Sequence, residues 1–485
     1  MTVKCDSAGL SSRMNQGSCW LNTALITEKS QALARLDFRM TKLPLQQQGV
    51  NLSQASQTAT RFRVYTQRNL DQIQQLQCLS DELRFEIRVV AQVLPFRVNQ
   101  YVIDELIAWE DVPNDPIFRL VFPQREMLDP AHFSQIADLL RANAEQSVLK
   151  NAAAEIHREL NPHPAGQTTQ NVPRIGNEFL EGAQHKYRET LLFFPSQGQT
   201  CHSYCSFCFR WPQFVQNEAF RISSREVATL HEYLQSHTEV TDLLVTGGDP
   251  MVMSSARLGE YLRPLTGPAF AHLQTIRIGT KSLTFWPHRF VTDRDADDVL
   301  RLFDELVKAG KHLAVMAHFE HGREMENDLV HEAVRRIRDT GAIIRTQAPV
   351  LRHINDDPSV WASMWQSQVQ MGMVPYYMFV ERDTGARRYF ELPLERAWEI
   401  YQQAIQRVSG LGRTARGPSM SANPGKVELQ GVTTIRGERV FVLRFIQARN
   451  PAWVQQPFFA KYDPQATWLD QLRPAFGEEK FFFEQ

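Results

Sequence analysis

Cys201, Cys205 and Cys208, in the run CHSYCSFC, set three thiols at CxxxCxxC spacing, and no cysteine follows them. Three thiolates can hold three irons of a [4Fe–4S] cluster and leave the fourth iron without a protein ligand. An open iron can bind a small molecule and pass an electron into it, whereas a structural site is normally closed by a fourth protein ligand. Half of the chain's six cysteines fall within these eight positions, which argues for ligation over three thiols that merely cluster. Cys5, Cys19 and Cys78 are scattered and read as ordinary unpaired thiols, which suits a reducing cytosol.

The elements that must position this loop are legible as an alternation. From residue 186 onward, short β-rich runs (TLLFF, DLLVTGG, TIRIGT, HLAVMAHF, AIIRTQAPVL, VPYYMFV) are each followed by an amphipathic helical pattern. Six strand–helix units in series predict an α/β fold with parallel strands and helical crossovers, a full or partial barrel; a doubly wound open sheet would alternate in the same way. Polar and glycine residues just past the strand ends favour the barrel, whose sites are built there. The cysteine run follows the first of these strands directly. The second ends in TGGDP (Thr246 to Pro250), where paired glycines admit a close backbone approach and Asp249 offers a carboxylate. Alone, that motif reads better as a strand-to-helix turn with an N-capping aspartate. The third strand ends in RIGTK (Arg277 to Lys281), and the fifth carries Gln347.

The rest of the chain divides around this core. Residues 1–60 are rich in Gln, Ser, Thr and Asn and predict a loosely ordered extension. Residues 61–185 read as a helical N-terminal region, with helical periodicity over about 65–110 and 132–160, broken by the two prolines of VPNDPI. Residues 186–410 are the core, and 411–485 a small C-terminal extension containing strands. The chain has 485 residues, 43% hydrophobic and 22% charged, with a formal net charge of −1. That gives no electrostatic case for nucleic acid or an anionic membrane. No apolar run is long enough to span a bilayer and the start lacks a signal-like apolar region, so a cytoplasmic protein is expected.

Taken in order, CHSYCSFCFR, TGGDP, RIGT, HFEH, TQAPVLRHIND, VPYYMF and PGKVEL resemble the radical S-adenosylmethionine (SAM) enzymes, and within them the lysine 2,3-aminomutase family. The resemblance covers about residues 85–440. It implies a partial (β/α)6 radical SAM barrel in which the three cysteines bind [4Fe–4S] and SAM chelates the open iron. Gly247, Gly248 and Asp249 would then hold the SAM amino group, with Arg277 and Gln347 as further SAM contacts. One electron, supplied by an external donor, cleaves SAM to methionine and a 5′-deoxyadenosyl radical that abstracts hydrogen from substrate. Aminomutases of this kind add pyridoxal phosphate (PLP) as a Schiff base to a lysine, which matches Lys426 in ANPGKVEL. Arg210 matches the arginine that grips the substrate α-carboxylate.

Three departures bear on this. Two residues, Pro424 and Gly425, stand where the family has four glycines before the lysine. The two arginines that meet the PLP phosphate correspond to Lys186 and Thr190, with Arg188 close by, so phosphate binding is weakened. The two aspartates that lysine-specific enzymes use for the distant ammonium correspond to Arg382 and Ser419. In that register free L-lysine is a poor substrate, and one with an anionic or neutral far end fits better. Glu381 and Asp383 flank Arg382, so a shift of one residue would restore a carboxylate. The absence of late cysteines predicts no structural zinc, and His318 and His321 read as polar lining. The leading expectation is therefore a PLP-dependent 2,3-aminomutase of lysine or a related amino acid. A radical SAM enzyme without PLP is the alternative, and a non-catalytic metal-binding module is the alternative of another class. Homo-oligomerisation is left open.

Overall fold

The computed structural model describes residues 61–162, 170–215 and 227–484. The expected extension over 1–60, with Cys5 and Cys19, lies outside them. The described residues form one compact unit. No helix among the described residues is long and apolar enough to cross a membrane.

One eleven-stranded sheet organises the unit. Its strands are β1 (Ala183–Tyr187), β2 (Thr190–Phe193), β3 (Asp242–Val245), β4 (Thr275–Thr280), β5 (His312–His318), β6 (Ile343–Val350), β7 (Val374–Val380), β8 (Arg416–Ser421), β9 (Gly425–Ile435), β10 (Glu438–Ala448) and β11 (Pro457–Lys461). Their spatial order is their chain order, without reversal. A doubly wound sheet reverses its order at a switch point, so that alternative is excluded. Strands β2 to β8 are parallel, β1 runs antiparallel at one edge, and β9 to β11 continue antiparallel at the other.

The sequence analysis counts six parallel strands, and the structure adds a seventh, β8. Its segment ARGPSMS carries Gly and Pro, which argue against a strand interior. Gly417 is required there because a Cβ would meet the Met378 carbonyl oxygen at 2.2 Å. Through β8 the C-terminal segment joins the sheet directly, so the expected border near 410 falls within continuous hydrogen-bonded structure.

The parallel strands show why the site lies where it does. In β4, Ile276, Ile278 and Thr280 are buried while Arg277 and Gly279 between them are half-buried. Strands covered on both faces read as continuous apolar runs. Here one face packs on helices and the other, carrying Asp242, Arg277, Arg345 and Gln347, lines a polar chamber. The crossover helices include Ser255–Leu262, Ala296–Lys308, Asp328–Asp339, Pro358–Gln370 and Leu394–Gln406. Several carry the side-chain caps their sequences predict, such as Asn327 accepting from Leu329 N at 2.8 Å.

The N-terminal region is less helical than its periodicity predicts. The helix Asp81–Val90 stops short of Pro95, and Arg97–Asn99 then pairs antiparallel with Val64–Thr66. A proline cannot donate to the helical ladder, so the pattern is broken there. The break places Arg97 and Asn99 against the cysteine loop.

Candidate active site

Cys201, Cys205 and Cys208 lie half-buried in the loop after β2, and main-chain and side-chain bonds from the N-terminal region fix that loop. Tyr204 N donates to Arg97 O at 2.8 Å, and Ser206 N to Leu120 O at 2.7 Å. Asn99 N donates to Ser203 Oγ at 3.0 Å, and Asn99 Nδ2 to His202 O at 3.3 Å. His202 itself is a packing residue: burial holds it neutral, pushing it down to about 3, and it stacks on Trp286.

Gly247 and Gly248 face this loop. A Cβ on Gly247, whose φ is +148°, would meet the Gln199 side chain at 2.2 Å; on Gly248 it would meet the Thr200 main chain at 2.5 Å. Asp249 N donates to both Gly198 O and Thr200 O, at 3.0 and 2.8 Å. The two glycines thus let β3 seat the segment that leads into Cys201. Gly248→Ala is expected to displace that segment, lower iron content per chain and reduce SAM cleavage roughly 10²-fold, as misplacement near 1 Å commonly does. Anaerobic iron analysis and 5′-deoxyadenosine formation measure it.

The Asp249 carboxylate serves the protein. It accepts from Met251 N at 2.9 Å, Thr280 Oγ1 at 2.8 Å, Lys281 N at 2.9 Å and Ser282 Oγ at 3.0 Å. A carboxylate has about four lone-pair sites, so this set ties the ends of β3 and β4 together and leaves little for a ligand ammonium. The sequence analysis gave Gly247, Gly248 and Asp249 to the SAM amine; in the structure the Asp249 carboxylate is occupied by these four donors.

Burial drives all three thiols up: Cys208 to about 11, Cys201 and Cys205 well above their ordinary value, with the other two thiols adding to it at Cys201 and Cys208 adding to it at Cys205. Lys281 opposes this at Cys205 and Arg210 at Cys208. Surroundings that resist three free thiolates suit their pairing with iron, whose positive charge stabilises them. Among the described residues, no three His, Cys, Asp or Glu side chains converge on a single ion. A cluster takes each sulfur on a different iron and needs no such convergence.

Beside Cys205 stands a buried triad that the sequence analysis did not single out. Lys281 Nζ bonds the Glu320 carboxylate and lies 2.6 Å from Glu324 Oε1. Burial lowers the Lys281 amine, but the Glu320 and Glu324 charges outweigh it and raise it. Burial and the Glu320 charge lift Glu324 to about 7 against the pull of Lys281. Glu320 sits inside HFEH and Glu324 four residues on, but Lys281 follows β4, so only the fold completes the triad. His318 Nε2 lies 2.9 Å from Gln347 Nε2, and His321 Nδ1 accepts from Arg323 N at 3.2 Å.

Lys426 enters the chamber at the start of β9, its Nζ 4.0 Å from the centre of the Tyr377 ring. Burial, then the charges of Arg277, Arg416 and Lys186, bring its amine down to about 7. Lys186 donates to Ala422 O, in the turn before Lys426, and is likewise lowered to about 7 by burial, Arg449 and Arg382. Arg277 pairs with Asp242 at 2.8 Å and its charge reaches Lys426. Among the described residues, Lys186, Lys426, Arg416 and Arg449 have no carboxylate within ion-pair distance. Arg416 and Arg449 were not anticipated, because single arginines in separate strands carry no local signal.

This donor set fits PLP. A lysine near neutrality is a competent amine nucleophile, and cations without carboxylates suit a phosphate. The pH dependence follows: capture of PLP by Lys426, read by borohydride trapping, is expected to rise through pH 7 and level off above about pH 8. An unperturbed lysine would continue to gain up to about pH 10.4.

No family model matches the chain. A protein of Aquifex aeolicus, provisionally named L-lysine 2,3-aminomutase, is 29% identical over 402 residues, 83% of this chain and 94% of its own length. The L-lysine 2,3-aminomutase of Bacillus subtilis is 25% identical over 251 residues, 52% of this chain and 50% of its own. The chain is thus similar over most of its length to a protein provisionally named as a lysine 2,3-aminomutase. The glutamate 2,3-aminomutase of Clostridioides difficile is 26% identical over 245 residues, 50% of this chain and 54% of its own. The chain spans about half the length of these last two relatives. Among solved structures, Streptococcus suis SuiB bound to S-adenosylmethionine aligns with a TM-score of 0.33 at 12% identity, covering 59% of this chain and 60% of that one.

Of the remaining residues singled out in the sequence, Arg210 and Arg382 lie near Phe209. The Arg210 guanidinium carbon is 5.0 Å from the centre of that ring and the Arg382 carbon 5.3 Å. Ser419 is fully buried, and its Oγ has no hydrogen-bond partner. Glu381, next to Arg382, is also buried, pushed well up by that burial, and its Oε1 lacks a partner. Thr190 is buried in β2.

Proposed function

We propose that the chain is a radical SAM enzyme that uses a [4Fe–4S] cluster to cleave SAM and, with PLP, moves an amino group between adjacent carbons of an amino acid, lysine or a related one. The observation that carries this reading is Lys426, an amine poised near neutrality among cations that lack carboxylate partners. A run of neighbouring charges links it to the cysteines: Arg210 acts on Cys208, Arg382 on both Arg210 and Lys186, and Lys186 on Lys426. A pure metal-binding module has no need of such an amine.

The cofactors supply the radical and stabilise it; the chain's residues bind, orient and exclude water. Cys201, Cys205 and Cys208 hold the cluster, and the main chain at Gly247 and Gly248, with Gln347, holds SAM. Lys426 bonds PLP, with Lys186, Arg416 and Arg449 as the cations for its phosphate. Arg210 takes the substrate α-carboxylate. The same reading takes β2 to β7 and their helices as a partial (β/α)6 barrel, with β8 to β11 as the extension that brings in Lys426, and an external donor as the electron source.

The test is anaerobic reconstitution with iron, sulfide and PLP, followed by borohydride reduction and peptide mapping, with 5′-deoxyadenosine measured in parallel. Reduced pyridoxyl on Lys426 together with SAM cleavage is the expected result. SAM cleavage with no adduct would leave a radical SAM enzyme without PLP, and neither signal would overturn the radical reading.

A further inference from the structure

We propose that Glu320 sets the reduction potential of the cluster: its buried negative charge, in excess of what Lys281 needs for neutrality, holds that potential down. The inference rests on the cluster-binding reading of the three cysteines and adds a positioning residue, acting through charge, to it.

Charge counting supplies the first argument. Lys281, Glu320 and Glu324 bring one cation together with two carboxylates, and both carboxylate side chains are 0% exposed. Glu324 alone would balance Lys281. One of its oxygens takes the Lys281 amine at 2.6 Å, and the other accepts from Glu320 N at 2.6 Å and His321 N at 3.1 Å. Glu320 bonds Lys281 through Oε2, while its Oε1 is buried without a hydrogen-bond partner. His318 Nδ1 stands 3.6 Å from that oxygen, too far for a hydrogen bond. Burying a second carboxylate with an unmet oxygen costs stability. A structural ion pair would be complete without it, so the surplus charge calls for another role.

Placement supplies the second. Glu320 follows β5, and its carbonyl accepts from Asn355 Nδ2 at 2.9 Å, which fixes the main chain there. Burial works against its ionised form, but Lys281 and His318 outweigh burial and keep it charged. That charge bears on two of the three thiols, Cys205 and Cys208. Lys281 at Cys205 and Arg210 at Cys208 pull the other way, and Glu320 offsets both. Glu381 also faces Cys208, but burial pushes it well up, toward the neutral acid. Reduction adds one electron to the cluster, and a fixed negative charge nearby opposes that addition. A unit charge roughly 10 Å away inside a protein changes such an equilibrium on the order of tenfold, which for one electron is about 59 mV.

The test is a potentiometric titration of the reconstituted holoprotein without SAM, at about pH 8.5, where carboxylates are ionised. Dithionite with viologen mediators supplies the electrons, and the electron paramagnetic resonance signal of the reduced cluster is followed. Glu320→Gln removes the charge and keeps the shape. At a fixed potential it is expected to raise the ratio of reduced to oxidised cluster about tenfold, with iron and sulfide per chain unchanged. Glu320→Asp, which keeps the charge, is expected to return the ratio to within about threefold of wild type. Should E320Q fail to load iron, Glu320→Met, uncharged and of similar length, carries the same expectation. A ratio within about twofold of wild type in the uncharged variant, or a shift in the opposite direction, overturns the proposal. Failure of both uncharged variants to load iron overturns it too, because Glu320 would then belong to the architecture of the loop. Absence of a reducible cluster in the wild-type protein overturns the cluster reading instead.

Discussion

Lys426→Ala is expected to abolish the pyridoxyl adduct and lower turnover by on the order of 10³ or more, while iron content and slow, uncoupled SAM cleavage persist. The separation is expected because Lys426 sits on β9, remote in sequence from the cysteine loop, and none of the bonds that fix that loop involve it. A second readout needs no cofactor. The Lys426 amine is near 7 in the folded protein and about 10.4 when unfolded. Between those values the unfolded chain binds more protons, so wild-type stability without cofactors rises with pH across that window. The alanine variant lacks this contribution. Its thermal midpoint without PLP should therefore lie above wild type at pH 7.5, and the gap should close toward pH 10. An adduct on another lysine, or unchanged turnover, would show that Lys426 is not the PLP lysine.

The parts of this molecule legible in its sequence are those with local signals. Strand and helix patterns between 186 and 410 depend on neighbouring residues, and the structure has strands at all six expected runs. The cysteine spacing is likewise a property of eight consecutive positions. What escaped depends on residues brought together by pairing. The Asp249 carboxylate looks available in TGGDP, yet Thr280, Lys281 and Ser282 reach it because β3 and β4 run parallel and end side by side. The amphipathic pattern through Pro95 hides a strand, because Arg97–Asn99 finds a partner more than thirty residues earlier. The chamber's cations come from β1, β4, β8, β9 and the end of β10, and each alone would read as an ordinary solvated residue. The charge reversal at Arg382 was visible in sequence; that its Nε and the Ser419 hydroxyl are both left unpartnered was not.

Cys205→Ala is expected to remove the brown cluster and bring SAM cleavage below a thousandth of wild type, with the fold intact. The loop does not depend on this thiol: Tyr204 N, Ser206 N and Cys208 N are held by carbonyls at Arg97, Leu120 and Cys205 itself, which alanine keeps. Losing one half-buried sulfur costs about 1 kcal/mol, which for a chain of this size moves the thermal midpoint of the iron-free protein by only a few degrees at most. Lys281 keeps Glu320 and Glu324, so no buried cation is left unpaired. Two thiols, however, cannot hold a cluster against burial that drives each of them toward the neutral form. Cys78, exposed and far from the loop in sequence, is the control: Cys78→Ala should keep iron, colour and cleavage at wild-type levels. Cleavage surviving in C205A would overturn cluster ligation by this run. Loss of cleavage in C205A, with unchanged circular dichroism and iron retained in C78A, would tie the radical chemistry to these three sulfurs.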